Sequence, residues 1–373
     1  MDGSDALEAH LTATCNRVLA GVRRLVPASR LVGLLLGGGY GRGEGGVLRT
    51  PLGDQPYNDL EFYVFVRGNA FLAERGLRGP LHALGESLSP EAGLEVEFKV
   101  LTLGKLERSA PSMFYYDLVA GHRWLLGDDA LLSQCEPHRD PGAIPLHEAT
   151  RLLFNRCSGL LFALERLQRS NFGSADADFV ARNLAKAQLA FGDVWLTSSG
   201  AYHWSCRERH ARLMKCSVDG SPAWLPALLG HHTDGVEFKL HPTRSVESGE
   251  TLRGRHAGLS ELGRNLWLWL ESRRLARPQV SAREYALSGA NKCPETSRLR
   301  NRLVNFRAFG ASGLADDRYP RERLLHALTL LLWEPRVLQD QVLIEGVQRQ
   351  LRTTATDLSG LVSAYQRLWG RFN

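Results

Sequence analysis

The sequence predicts an α/β (α+β) protein: an N-terminal domain with a mixed sheet and flanking helices, followed by an all-helical C-terminal domain. Three observations carry this expectation. Apolar runs of strand length fall before about residue 145, at 31–36, 59–66 and 94–101. From His147 onward apolar residues recur almost entirely at helical spacing. Between the two regimes, Pro141-Gly142-Ala143-Ile144-Pro145 reads as a linker. The expected domains are therefore 1–145, carrying the chemistry, and 146–373, binding substrate.

Each element has its own signal. Asp5 to Leu25 carries Leu7, Leu11, Val18, Leu19, Val22 and Leu25 near helical spacing, and Pro27 stops it. Leu31 to Leu36 is a short, nearly continuous apolar run that reads as a buried strand. Asp59 to Val66 is aromatic and β-branched, a good strand. A helical segment is expected from about Ala70 to Leu88. In the strand from Leu94 to Leu101, Leu94, Val96, Phe98 and Val100 face one way, and Glu95, Glu97 and Lys99 the other. Amphipathic helices are expected at roughly 147–169, 177–198, 203–215, 258–275, 297–309, 320–333, 337–351 and 356–370. Residues His231 to Arg255 lack clear periodicity and read as a loop-rich insertion.

Composition excludes several classes. The 373 residues are 43% hydrophobic and 23% charged, which excludes wholesale disorder. No apolar stretch approaches the roughly 18 residues that span a bilayer, no secretory leader pattern opens the chain, and no membrane partner is expected. Six scattered cysteines without a CxxC pair read as reduced thiols, and the expected location is the cytoplasm. His231, His232 and His241 with Cys206 and Cys216 lack zinc spacing. The tryptophans at 195, 204, 267, 269 and 333 sit in helical segments and are expected in the core. Forty-six basic against forty acidic residues give a net charge of +6, which permits an anionic partner without demanding one.

The segment Leu36-Gly37-Gly38-Gly39-Tyr40-Gly41-Arg42-Gly43-Glu44-Gly45-Gly46 directly follows the first strand. Glycines there allow a tight turn and bring backbone N–H groups close to an anion. The segment is not a P-loop, because no Gly-Lys-Ser/Thr follows, and the next strand comes too soon for a dinucleotide fold. On that next strand Asp59 and Glu61 are two residues apart and share a face. Two half-buried carboxylates side by side repel unless a cation lies between them, and a hard divalent cation suits oxygen ligands. Glu97, or Glu95 two residues before it, offers a third carboxylate from another strand. Three carboxylates beside a glycine loop suit metal-assisted phosphoryl or nucleotidyl transfer. The bland alternative for each is a solvated strand face.

These residues together resemble the polymerase-β-like nucleotidyltransferases. Gly38-Gly39-Tyr40-Gly41-Arg42-Gly43-Glu44 is similar to the Gly-Ser-x-x-x-Gly turn of that family, with Gly39 at the serine position. Asp59-Leu60-Glu61-Phe62 matches its acidic pair, and Val96-Glu97-Phe98-Lys99-Val100-Leu101 resembles the strand with the third carboxylate, which favours Glu97 over Glu95. The resemblance covers about residues 30–135. Three departures stand out: glycine at 39, glutamate at 61, and a long spacer from Gly43 to Asp59. The resemblance implies transfer of a nucleoside monophosphate from a triphosphate, with ATP the expected donor and Mg²⁺ or Mn²⁺ the cofactor. It implies that Asp59, Glu61 and Glu97 hold metal, that Glu97 helps deprotonate the acceptor, and that Gly38, Gly39 and Gly43 reach the phosphates. Arg42 either contacts the triphosphate or braces the loop. A helical lysine over the triphosphate is a further feature of similar proteins. Lys186 is the candidate, with Arg207 and Arg209 as weaker ones.

The acceptor is open: a protein, an RNA end or a small molecule. The basic 298–323 region could hold RNA or an acidic protein, or be a solvated arginine-rich surface. Two other functions remain: a nucleotide- or RNA-binding module without turnover, and a synthetase joining nucleotides into a signalling oligonucleotide.

Overall fold

The computed structural model describes residues 2–217 and 220–373. It is mixed α/β, with its sheet in the N-terminal region and a helical C-terminal part. Two compact units result. One joins Met1–Glu148, Trp195–Ser217 and Thr233–Thr243; the other joins Ala149–Val194, Val218–His232 and Arg244–Asn373.

The first unit opens with α1 (Asp5–Leu25), β1 (Leu31–Leu36), a single turn α2 (Gly38–Gly41), β2 (Gly46–Thr50), β3 (Gly53–Tyr57) and β4 (Asp59–Val66). Then follow α3 (Ala70–Ala92), β5 (Glu95–Leu101), α4 (Leu103–Glu107), α5 (Met113–Ala120) and β6 (Arg123–Leu126). The four-stranded sheet has the order β5-β4-β1-β6. β1 is antiparallel to both neighbours, whereas β4 and β5 are parallel and joined by α3. The Asn69 side chain accepts from the Phe71 and Leu72 N–H groups and so starts α3. That helix outruns its expected end near Leu88 and stops where Gly93 takes a left-handed conformation, φ +74°.

Strand alternation sorts the sheet into two faces. Leu34, Leu36, Leu60, Phe62, Val64, Val66 and Val96 join α1 and α3 in one core. Leu35, Tyr63, Phe65 and Leu101 join α4 and α5 in another. Asp59 and Glu61 precede Tyr63 and Phe65 on this second face, as Glu95, Glu97 and Lys99 precede Leu101. The carboxylates thus stand where the second core ends.

The long spacer before Asp59 is a β2–β3 hairpin, paired from Gly46↔Tyr57 to Thr50↔Gly53. Tyr40 closes its base. The hydroxyl donates to the Gly46 carbonyl at 2.9 Å and accepts the Tyr57 N–H at 2.7 Å.

The remaining helices are α6 (Leu146–Leu167), α7 (Ser174–Ser198), α8 (Cys206–Met214), α9 (Leu225–Leu240), α10 (Gly249–Arg274), α11 (Ala282–Leu287), α12 (Arg298–Phe309), α13 (Arg321–Trp333), α14 (Gln341–Leu351) and α15 (Leu358–Phe372). The loop-rich insertion expected from His231 to Arg255 is not one, since α9 continues to Leu240 and α10 starts at Gly249. A buried stripe at 225, 228, 232, 236 and 240 explains α9. His232 stands within that stripe and hides its period in the sequence. Trp267 and Trp333 are buried, whereas Trp195, Trp204 and Trp269 are only partly so.

Candidate functional site

The turn after β1 is shaped by its glycines. Gly38 has φ +59°, and a Cβ there would lie 2.9 Å from Glu61 Oε2. At Gly41 a side chain would run into the Leu36 carbonyl. The Gly37 N–H bonds the Glu61 carbonyl at 2.9 Å, which ties the turn to β4. Gly43 has φ +73° with open space around it. The Gly38 and Gly39 N–H groups open α2, so they lie outside its internal hydrogen-bond ladder.

Across β4 and β5, Asp59 pairs with Glu95 and Glu61 with Glu97 in register. All four side chains share one face. Oxygens of Asp59, Glu61 and Glu97 come within 4.8 Å of one another, each residue half-buried. Glu95 is exposed and lies outside this group. Burial raises the pKa of Glu97; Lys99 opposes the shift, and the charges of Asp59, Glu95 and Glu61 reinforce it. Like charges at this spacing favour a proton or a cation between them. The all-oxygen set fits a hard divalent ion.

Two lysines not singled out as site residues from the sequence stand beside the carboxylates and the turn, although strand alternation places Lys99 on the carboxylate face. Lys99 follows Glu97 by two residues on β5, and its ammonium is 3.1 Å from Glu61 Oε1. The Tyr63 hydroxyl donates to Glu61 Oε2 at 3.3 Å, and burial holds its pKa well above the usual phenol value. Lys239, on the part of α9 belonging to this unit, brings its ammonium to 2.6 Å from where a Cβ on Gly39 would lie. Burial, then the neighbouring Arg42, lowers its pKa. The chain is arginine-rich, so each of its few lysines was a signal. At Lys239 the mistaken reading of 231–255 concealed it.

Arg42 donates to Asp117 Oδ2 on α5 at 3.0 Å, and Asp117 also accepts from the Tyr202 hydroxyl at 3.2 Å. Glu44 receives the Ser205 hydroxyl at 2.5 Å and the Cys206 N–H at 2.8 Å, so it caps α8. Arg209 donates to the His203 and Trp204 carbonyls, and Arg207 pairs with Asp2 at 2.5 Å. Lys186 is exposed on α7, in the second unit.

Compared with protein-family models, curated proteins and solved structures, the chain has no match. Among the described residues no helix is long and apolar enough to cross a membrane.

Proposed function

We propose that the chain is a metal-dependent nucleotidyltransferase of the polymerase-β-like kind, moving a nucleoside monophosphate from a triphosphate, ATP first, to an acceptor hydroxyl. One observation carries the reading: three carboxylates from two parallel strands converge within 4.8 Å beside a glycine turn. Asp59, Glu61 and Glu97 would hold Mg²⁺ or Mn²⁺. Bound there, the metal supplies positive charge that offsets the triphosphate and acidifies the acceptor hydroxyl. Gly38 and Gly39 offer backbone N–H groups to the phosphates, and Gly43 leaves them room. Lys239 adds a cation beside Gly39, where the family resemblance places a serine hydroxyl. Glu97, across the parallel pair from Glu61, would be the carboxylate that helps take the acceptor proton. Six free cysteines fit a reducing compartment, and the cytoplasm is the proposed location.

The Lys99–Glu61 ion pair favours a second reading, in which Lys99 serves as resident counter-charge and the unit binds nucleotide without turnover. Transfer of α-phosphate label from each triphosphate separates the two. The assay offers Mg²⁺ or Mn²⁺ and, in turn, no acceptor, RNA, and protein. Label on an acceptor that Asp59→Asn abolishes supports the enzyme, and the labelled fraction names the acceptor class. Labelled oligonucleotides without acceptor identify a synthetase. Triphosphate binding without label leaves the binding module. Failure to bind triphosphate at all refutes both.

A further inference from the structure

Helix α12 is turned inside out. Its inward side chains are asparagines. Asn301 donates to Thr296 Oγ1 and the Asp317 carbonyl at 2.9 and 3.0 Å. Asn305 donates to the carbonyls of Asp316 and Arg318 at 3.0 and 2.7 Å. Both are buried. The apolar residues point outward: Leu299 is 74% exposed, Leu303 57% and Phe306 48%, and Leu314 just past the helix is 53% exposed. Rolling the helix to bury the leucines would strip four hydrogen bonds from the asparagines, so the outward stripe is built in.

The stripe is flanked by positive charge. At about 100° per residue, Leu299, Leu303 and Phe306 fall in one narrow sector. Arg298 and Arg302 lie along one edge of it, and Arg300 and Arg307 along the other. The helix carries no acidic residue. Arg298 approaches Asp317 at 3.7 Å. Arg300, Arg302 and Arg307 make no ion pair among the described residues.

Against the expectation of no membrane partner, which rested on spanning length, we propose that α12 docks the protein on an anionic lipid surface, Leu299, Leu303 and Phe306 entering the headgroup boundary and the two arginine rows meeting lipid phosphates. A basic-edged apolar stripe lying in the interface is the form of a monotopic helix, which needs no spanning length. Arginines on both edges reach outward to the headgroups while their stems cover apolar surface. RNA would engage the arginines and leave the central stripe unused. A second copy would set four arginines against four.

The test is co-sedimentation with vesicles of phosphatidylcholine alone and of phosphatidylcholine mixed with phosphatidylglycerol, and it is independent of nucleotide chemistry. The full chain is expected to bind the anionic vesicles at least ~tenfold better, with the preference shrinking as salt rises. Leu303→Glu/Phe306→Glu and Arg302→Glu/Arg307→Glu should each remove that binding with unchanged thermal unfolding. Should the glutamates at 303 and 306 disturb folding, Leu299→Ser/Leu303→Ser replaces that variant. Equal binding to neutral and anionic vesicles overturns the proposal, as does binding that survives the apolar substitutions. Absence of vesicle binding assigns the face to a protein partner, and RNA binding indifferent to position 303 assigns it to RNA; either outcome also overturns it.

Discussion

Two regions of the molecule withdraw carboxylates from water, and they answer the charge differently. In the helical unit Glu271 is 0% exposed. Arg274 holds it from two nitrogens, at 2.7 and 2.6 Å. The Thr150 and Tyr285 hydroxyls donate to it at 2.7 and 2.9 Å. Nearby Lys292 is held by neutral acceptors, its ammonium donating to the Ser288 carbonyl and hydroxyl and the Ala290 carbonyl, and burial lowers its pKa to about 8. In the sheet unit Asp59, Glu61 and Glu97 crowd together, with Lys99 paired with Glu61 and Lys239 in electrostatic reach of Asp59, which leaves one carboxylate more than there are lysines. A fully answered buried charge is architecture. An excess of one sign, held by rigid strands at the end of a core, is a place for something to bind.

The sharpest test of this contrast is Glu271→Ala. Removing the carboxylate leaves buried Arg274 with only Glu295 at 3.7 Å and the Lys292 carbonyl at 2.6 Å, and takes the acceptor from Thr150 and Tyr285. Stability measured by urea unfolding should fall by about 3–5 kcal/mol. A change below ~1 kcal/mol would show that the cluster is no keystone. In Asp59→Asn label transfer should fall at least ~10²-fold. Mg²⁺ should raise the melting temperature of the parent chain by mass action and leave that of Asp59→Asn unmoved. A metal-induced shift retained in Asp59→Asn would place the ion elsewhere.

How far these two regions could be read in advance differs as well. The acidic pair, its strand and the glycine turn lie within some thirty residues, where period-two alternation and strand order speak directly. The boundaries Asp5–Leu25, Leu31–Leu36 and Asp59–Val66 emerged as expected. Alternation likewise put Glu95 and Glu97 on one face, because Val96, Phe98 and Val100 claim the other, and the family resemblance favoured Glu97 of the two. Glu271 was invisible: its partners come from Thr150, Arg274 and Tyr285, and nothing local marks a glutamate as buried. Lys239 failed for a related reason. It meets Gly39 only after 200 residues of chain have folded, and His232 breaks the apolar rhythm of its helix.

Lys239 therefore offers a finer test of the sheet unit. Lys239→Ala removes the cation beside Gly39 without touching a carboxylate. Triphosphate affinity should fall about 10- to 100-fold, the range of one charge-assisted hydrogen bond, while Mg²⁺ still raises the melting temperature. Loss of the metal response together with triphosphate binding would mean that Lys239 shapes the loop instead of meeting the ligand.

The smallest expected effect asks whether an ammonium has taken the place of a hydroxyl. A Cβ on Gly39 would meet the tip of Lys239 at 2.6 Å, the mobile end of a long side chain, and the Glu44 carbonyl at 3.1 Å. Gly39→Ser should therefore fold within about 1 kcal/mol of the parent and change triphosphate affinity only severalfold, the new hydroxyl offsetting a displaced ammonium. In Gly39→Ser/Lys239→Ala the serine should recover part of what Lys239→Ala loses. That coupling would make the two groups alternatives for one position, and additive losses would make them independent. Gly41→Ala is the control: its side chain would press on the Leu36 backbone, which cannot swing aside, so the turn itself should fail there and both ligand and metal responses should go with it.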